Sequence, residues 1–359
     1  MFDMLSDVTI LVPSFNRHRQ LKRLLEYYKG LKTNILVGDS TLTAFPDAGK
    51  YKNLNYFHYP NYPYATKLAL MYKKIKTKYV LFCADDDFVI PNSVKECVNF
   101  LDKNPDYVAA HGHYVFFEDK GKDKIPVYPF YLHAIDLDVK SNLPSERLYS
   151  ILANYMQLLY AVTKTSVARK VFNQLEKNRK IQNDTLVELF QAIMISIEGK
   201  SKTLPSLYCA REVTPGSART RIASLENIVT EPKYKKEYSY WLKVIIDYLM
   251  KKQKISKPNA EASIKAGVNN YLKGLLFTIP IINFHLYPLQ IQRFIIKATF
   301  GYAKKIRDLL IAPKDYANLS KHAFSTPHAK KEFEKIKLYI KKYGEKSLLL
   351  FLVYRDVLK

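Results

Sequence analysis

Short apolar runs rich in β-branched residues alternate with helix-spaced segments through the first half of the chain, and the two periods divide it into elements. Val8-Thr9-Ile10-Leu11-Val12 reads as a strand stopped by Pro13. Leu21, Leu24, Leu25 and Tyr28 then share one face of a helix that Gly30 ends. Asn34 to Gly38 is a second strand with Asp39-Ser40 at its carboxyl end, and Leu54 to His58 is a third. Thr66 to Lys76 reads as a helix and Tyr79 to Ala84 as an apolar strand suited to the centre of a sheet. Strands separated by helices imply an α/β fold with a mostly parallel, doubly wound sheet. Tyr107 to Phe117 adds a strand, and the charged, proline-bearing stretch from Glu118 to about Pro129 reads as a surface excursion. Leu143 to Lys170 looks helical, and Asn183-Asp184-Thr185 caps a helix carrying Leu186, Val187, Leu189, Phe190, Ile193 and Met194. Beyond about Glu231 strand signals stop, and helices crowded with Lys and Tyr, such as Tyr234 to Lys254, take over. Two domains are therefore expected, residues 1–230 and a basic helical part at 231–359.

The 359 residues suffice for two domains with real cores. The 57 Lys and Arg against 33 Asp and Glu give a net charge of +24, which favours polyanions: nucleic acid, an anionic membrane surface, or nucleotide and phosphate substrates. Without a zinc finger, an RNP aromatic motif or a recognisable helix-turn-helix, nucleic acid is not the expected partner. Cys83, Cys97 and Cys209 lie in apolar or helical contexts with no metal-ligand spacing, as reduced cytosolic thiols do. Met1-Phe2-Asp3 leads into a strand-like segment with no basic n-region, so a cytoplasmic protein is expected. Gly274 to Ile296 is apolar but interrupted by Pro280, Asn283, His285, Pro288, Gln290, Gln292 and Arg293, which argues against a transmembrane helix.

The chemistry concentrates at strand ends. Asp85-Asp86-Asp87 follow the run Tyr79 to Ala84, which places hard oxygen ligands at the rim of the sheet, where open α/β folds bind ligands. Three ionised aspartates repel one another unless a cation offsets them, and Mg²⁺ or Mn²⁺ between such carboxylates and a diphosphate would do so. The competing reading is a solvated acidic turn before Pro91. Pro13-Ser14-Phe15-Asn16-Arg17 and Asp39 occupy other strand ends. His111 and His113 share one strand face with Gly112 between them; two histidines without a third ligand are structural or acceptor-lining more often than metal-binding. Arg211 to Arg221, with three arginines, a proline and a glycine, reads either as a loop closing over a diphosphate or as a linker.

Thr9 to Arg17, Leu36 to Ser40 and Thr77 to Asp87, in this order and spacing, resemble the GT-A glycosyltransferases of the family 2 type over roughly residues 7 to 220. The resemblance implies a Rossmann-like nucleotide-sugar domain. In it Pro13, Ser14, Phe15, Asn16 and Arg17 form the nucleotide loop, and Asp39 and Ser40 meet base or ribose. The metal falls to Asp85 and Asp87 as a D-x-D pair, or to Asp86 with Asp87, because Ala84 stands where the commoner pattern has aspartate. Asp87 is the best match for a ligand, and Asp86 and Arg219 are placed on the donor. The general base is best matched by Asp184, with Glu188 one turn on as the substitute; the rival role for Asp184 is a helix cap. After His133 the next histidine is His285, so the metal histidine that some relatives supply has no counterpart, and the third ligand would be water, phosphate or absent.

The resemblance also implies Mn²⁺ or Mg²⁺ as cofactor and a nucleoside-diphosphate sugar as donor, UDP-sugar by default. The acceptor would be a glycan or lipid-linked hydroxyl in bacterial surface polysaccharide or glycolipid synthesis. Lys233-Tyr234-Lys235-Lys236, Lys330-Lys331 and Leu348 to Val353 would suit peripheral attachment to the anionic inner face of the cytoplasmic membrane, or else solvated helix faces and an oligomer contact. A nucleotidyl- or phospho-group transferase using the same metal and diphosphate, and a basic nucleic-acid-binding protein, are the alternatives.

Overall fold

The computed structural model describes residues 5–117, 127–130, 134, 136–213, 223–283 and 327–343. The strands are β1 (Val8–Ser14), β2 (Asn34–Asp39), β3 (Leu54–His58), β4 (Tyr79–Phe82), β5 (Phe88–Val89), β6 (Tyr107–Phe117), β7 (Val127–Phe130), β8 (Asp138–Val139), β9 (Val162–Lys164) and β10 (Lys200–Glu212). The helices are α1 (His18–Tyr28), α2 (Tyr64–Lys74), α3 (Pro91–Lys103), α4 (Pro144–Ala153), α5 (Thr165–Lys177), α6 (Asp184–Glu198), α7 (Leu225–Thr230), α8 (Lys235–Gln253), α9 (Lys257–Asn283) and α10 (Pro327–Tyr343). The strands form one sheet in the order β3-β2-β1-β4-β9-β6-β10-β5, with β7 on β6 and β8 on β10. The pairs β1–β2, β1–β4, β2–β3 and β6–β10 are parallel, so the expected α/β architecture is borne out.

Helices on both faces make the central strands apolar throughout: Val8, Leu11, Val12 and Val37 have no exposed surface. β1 continues through Pro13 to Ser14 instead of stopping. The last β1–β4 partners are Leu11 and Phe82, so Pro13 lies beyond that ladder and its missing N–H breaks no bond there. Three other readings are corrected. Residues 143–170 are not one helix, because Val162–Lys164 forms β9, antiparallel to both β4 and β6. That strand fills the gap between two buried neighbours, a tertiary demand that three residues cannot advertise by periodicity. Val127–Phe130 pairs with β6 and belongs to the sheet rather than to an excursion. Arg211 and Glu212 close strand β10, so no loop begins at Arg211.

The helices beyond residue 230 pack on this layer, and buried residues of both parts form one continuous cluster. Trp241 of α8 is fully buried and its Nε1 donates to the Leu186 carbonyl of α6 at 2.9 Å. Tyr339 of α10 meets the ring of Tyr27 of α1 edge-on at 5.5 Å. Cys83, Cys97 and Cys209 are buried free thiols. Among the described residues no helix is long and apolar enough to cross a membrane. Leu348 to Val353 and residues 284–296 lie outside the described residues.

Candidate active site

Parallel pairing brings the carboxyl ends of β1 and β2 side by side, with Ser14 opposite Asp39. The Ser40 N–H donates to the Ser14 carbonyl at 3.0 Å, and Lys67 of α2 closes the junction from below. Its Nζ donates to the Ser14 carbonyl at 2.7 Å and to Ser40 Oγ at 2.8 Å. Burial pushes the Lys67 ammonium down to about 8, against the pull of Asp85 and Asp39. Ser14 Oγ in turn donates to Asp85 Oδ2 at 2.8 Å, joining this junction to the acidic triplet.

All three aspartates are buried, at 4%, 5% and 2% exposure. The acidic triplet is therefore not a solvated turn. A cation meets each carboxylate. The Arg17 guanidinium bridges two of them, hydrogen-bonding Asp86 and standing 3.6 Å from Asp85 Oδ1. Asp87 accepts from the Tyr160 hydroxyl at 2.5 Å, from Arg211 Nε at 3.2 Å and from the Glu212 N–H at 2.9 Å. Arg23 donates to the Asp86 carbonyl at 2.8 Å and pairs with Glu212, fixing the turn itself. Burial, with repulsion from Asp86, pushes Asp85 up to about 7 despite Arg17, Ser14 and Lys67. Burial likewise pushes Asp87 up to about 6 against Arg211. Among the described residues no three His, Cys, Asp or Glu side chains converge as ready-made metal ligands. The donor set still fits a hard divalent ion, since it offers only carboxylate oxygens and already draws a guanidinium between Asp85 and Asp86.

Asp39 is fully buried. Its Oδ2 accepts from the Tyr56 hydroxyl at 2.8 Å and meets His18 Nε2 at 2.7 Å, and its Oδ1 accepts from the Thr41 N–H at 2.9 Å. Burial disfavours its charge, but the hydrogen bonds from Thr41, Tyr56 and His18 prevail and hold it below the ordinary carboxylate range. Thr41 Oγ1 then accepts from the N–H of Asn16, which sits in the left-handed region at φ 56°. Asp39 thus anchors the loop that presents Phe15, whose ring is 48% exposed at the rim. The Tyr59 N–H donates to the Asp39 carbonyl at 2.7 Å and the Asn61 N–H to the Ser40 carbonyl at 3.2 Å, placing a second exposed ring, Tyr62, on the adjoining turn.

Across the sheet, Asn183 is the N-cap of α6, accepting from the Thr185 and Leu186 N–H groups, so Asp184 opens the helix without being its cap. Glu188 Oε1 accepts from the Tyr155 hydroxyl at 2.5 Å and from Gln157 Nε2 at 2.7 Å. Gln157 Oε1 accepts from Arg211, which completes a chain Glu188–Gln157–Arg211–Asp87. Tyr271 of α9 covers Tyr155 edge-on at 4.9 Å. Burial raises the Tyr64 hydroxyl, and both Glu188 and Asp184 add to the rise, so the two candidate bases share that neighbour. His111 stands apart. Its Nδ1 donates to the Gly112 carbonyl at 2.8 Å, and burial holds it down to about 4 and hence neutral. Arg219, His133 and His285 lie outside the described residues.

Nothing local in the sequence marks Tyr155, Gln157 or Tyr160 as part of the site. For Lys67 the one local signal is a lysine on the apolar side of α2.

Residues 9–144 match the family described as Glycosyl transferase family 2. No curated protein matches the sequence. Among solved structures, S. aureus TarS 1-349 in complex with UDP is similar at 14% identity, with 98% of this chain and 91% of that chain covered and a TM-score of 0.47. The mannosyltransferase PcManGT from Pyrobaculum calidifontis, in complex with GDP-Man and Mn2+, is similar at 14% identity, with 89% and 88% covered and a TM-score of 0.43. The chain spans 54% of the length of a further S. aureus TarS structure, covering 74% of itself at 12% identity and a TM-score of 0.41. Residues 9–144 thus carry a segment that matches the family 2 glycosyltransferases.

Proposed function

We propose that the protein is a metal-dependent glycosyltransferase that moves a sugar from a nucleoside-diphosphate sugar to a hydroxyl of a polysaccharide or glycolipid acceptor, in bacterial cell-surface glycan synthesis. The observation that carries this is the buried acidic triplet at the end of β4, with a cation drawn between two of its carboxylates. Asp85 and Asp87 would hold Mn²⁺ or Mg²⁺, which when bound offsets the charge that builds on the departing diphosphate. Ser14, Asn16 and Arg17 line the donor side, Asp86 orients Arg17, and Phe15 packs on the base, with UDP the default. Asp39 and Ser40 act by fixing the loop, since Asp39 is occupied by His18, Tyr56 and Thr41. Arg219 would complete the diphosphate contacts.

In the transfer the acceptor oxygen bonds to the anomeric carbon, the bond to the diphosphate oxygen breaks with its electron pair, and a carboxylate takes the acceptor proton. Glu188 suits that role because Tyr155 and Gln157 hold it and Gln157 links it to the donor side; Asp184, one turn before, is the alternative. Residues 1–230 form the catalytic part in this reading. The helices of 231–359, with exposed Lys233, Lys235, Lys236, Lys330 and Lys331, meet the anionic inner face of the cytoplasmic membrane that carries a lipid-linked acceptor. The test is release of nucleoside diphosphate from UDP-GlcNAc, UDP-Glc and GDP-Man with Mn²⁺ or EDTA. Metal-dependent release by the wild type but not by Asp87→Ala supports the reading. Release of pyrophosphate or nucleoside monophosphate instead would replace it with nucleotidyl or phospho-group transfer.

A further inference from the structure

We propose that Arg17 is the resident counter-cation of the divalent-metal site: it holds Asp85 and Asp86 while no metal is bound, and passes to the donor diphosphate when a divalent ion takes its place. This rests on the metal-dependent reading above and names the residue that couples metal to donor.

The three arginines around the triplet differ in how they are held. Arg23 is 3% exposed and locked between the Asp86 carbonyl and Glu212. Arg211 stacks over Tyr160 at 4.7 Å and Phe116 at 5.8 Å and binds Gln157 as well as Asp87. The side chains of Arg17 and Arg211 are equally exposed, at 20%, but Arg17 reaches into the triplet from the rim loop and meets two carboxylates, those of Asp85 and Asp86, at 5% and 6%. Its backbone is set by the left-handed Asn16 at the start of α1, on the loop that also presents Phe15.

Two cations cannot both occupy the space between the same two carboxylates. A divalent ion held by Asp85 and Asp87 would take the Asp85 oxygens that Arg17 faces, and so repels the guanidinium and removes one of its two partners. Released toward solvent, the guanidinium presents a planar fork of donors matched to phosphate oxygens, on the side where the diphosphate must sit if the ion is to bridge it. Metal and nucleoside diphosphate then bind cooperatively, because each removes a penalty that the other would meet alone.

The experiment is calorimetric titration of Mn²⁺, then of UDP at saturating Mn²⁺, into the full chain as wild type, Arg17→Gln and Lys22→Gln. Lys22, on the helix that follows Arg17, loses the same charge and pairs with Asp47. The expected result is crossed: Arg17→Gln binds Mn²⁺ about tenfold more tightly without nucleotide and UDP about tenfold more weakly with it, the size of one charge-assisted hydrogen bond. Lys22→Gln should change either by less than about twofold. Arg17→Lys, which keeps the charge without the fork, covers the case in which the glutamine variant does not fold; it should bind Mn²⁺ as the wild type does and UDP more weakly. Unchanged or weaker Mn²⁺ binding by Arg17→Gln, or an equal effect of Lys22→Gln, overturns the inference and leaves the glycosyltransferase reading standing. If no protein binds Mn²⁺ even with UDP, GDP or CDP, the metal-dependent reading falls with it.

Discussion

Neutralising Asp85 should stabilise the protein in the absence of metal. The carboxyl group is buried, and burial together with Asp86 pushes it up to about 7 from an ordinary 3.8. For an acid raised in this way, the folded chain keeps a proton between those two values that the unfolded chain has already lost. Stability therefore falls as pH rises through that window, and the full penalty applies above about pH 7. A shift of this size is worth about 4 kcal/mol at most. The three aspartates titrate together, and Asp85→Asn also gives up the attraction of Arg17, so about 2 kcal/mol is the working figure. Asparagine keeps an oxygen that can still accept from Ser14 Oγ. At about 2–4 °C per kcal/mol, the melting temperature of Asp85→Asn in EDTA should exceed that of the wild type by about 4–8 °C near pH 8. The gain should shrink as pH falls through this window and vanish below about pH 3, where both states of the wild type carry the proton. Thermal unfolding by circular dichroism across this range reads both. A variant that melts lower near pH 8, or whose advantage is the same at every pH, would refute the claim that the triplet stores unfavourable charge for a cation to relieve.

Three further outcomes are expected. Glu188→Gln should lower kcat for transfer by about a hundredfold or more with nucleotide affinity unchanged, and more than Asp184→Asn does; the reverse order moves the base to Asp184. Gly112→Ala should destabilise by about 1–3 kcal/mol in urea, because its Cβ would lie 2.3 Å from the Ser206 carbonyl oxygen and 2.9 Å from Tyr208 Cβ; a neutral result would mean that β6 and β10 separate easily. Trp241→Phe, which removes the side-chain donor to the Leu186 carbonyl and part of a buried ring, should cost about 1 kcal/mol by circular dichroism, and a silent substitution would show that α8 contributes little to holding α6.

The parts of the fold set by local pattern were legible from the residues. β1, β2, β3 and β6 announce themselves by β-branched or aromatic runs, and the positions of Asp39 and the triplet follow because parallel strands expose their carboxyl ends together. β9 was not legible, since Val162–Lys164 becomes a strand through its neighbours β4 and β6 rather than through any period of its own. β10 carries Lys200, Lys202, Pro205 and Ser206 among its apolar residues and pairs with β6 through irregular register, which hides the alternation. The site divides in the same way. The acidic residues form one local cluster, whereas their partners arrive from far along the chain: Lys67 is 53 residues from Ser14, Tyr160 is 73 from Asp87 and Arg211 is 124 from it. Which carboxylate meets which cation is decided by sheet order: the short turn Leu158–Tyr160 that leads into β9 delivers Tyr160, and β10 delivers Arg211. Asp39 illustrates the complementary limit. Its place was legible, but its engagement by His18, Tyr56 and Thr41 is a property of packing.

The most direct test of the central claim, that the triplet at the end of β4 is the metal and diphosphate site of a nucleotide-sugar transferase, is calorimetric titration of UDP, GDP and CDP into the wild type and Asp87→Ala, each with Mn²⁺ and with EDTA. One nucleoside diphosphate should bind the wild type with Mn²⁺, and binding should be lost in EDTA and in the variant. Equal binding in all four conditions, or none in any, would contradict it.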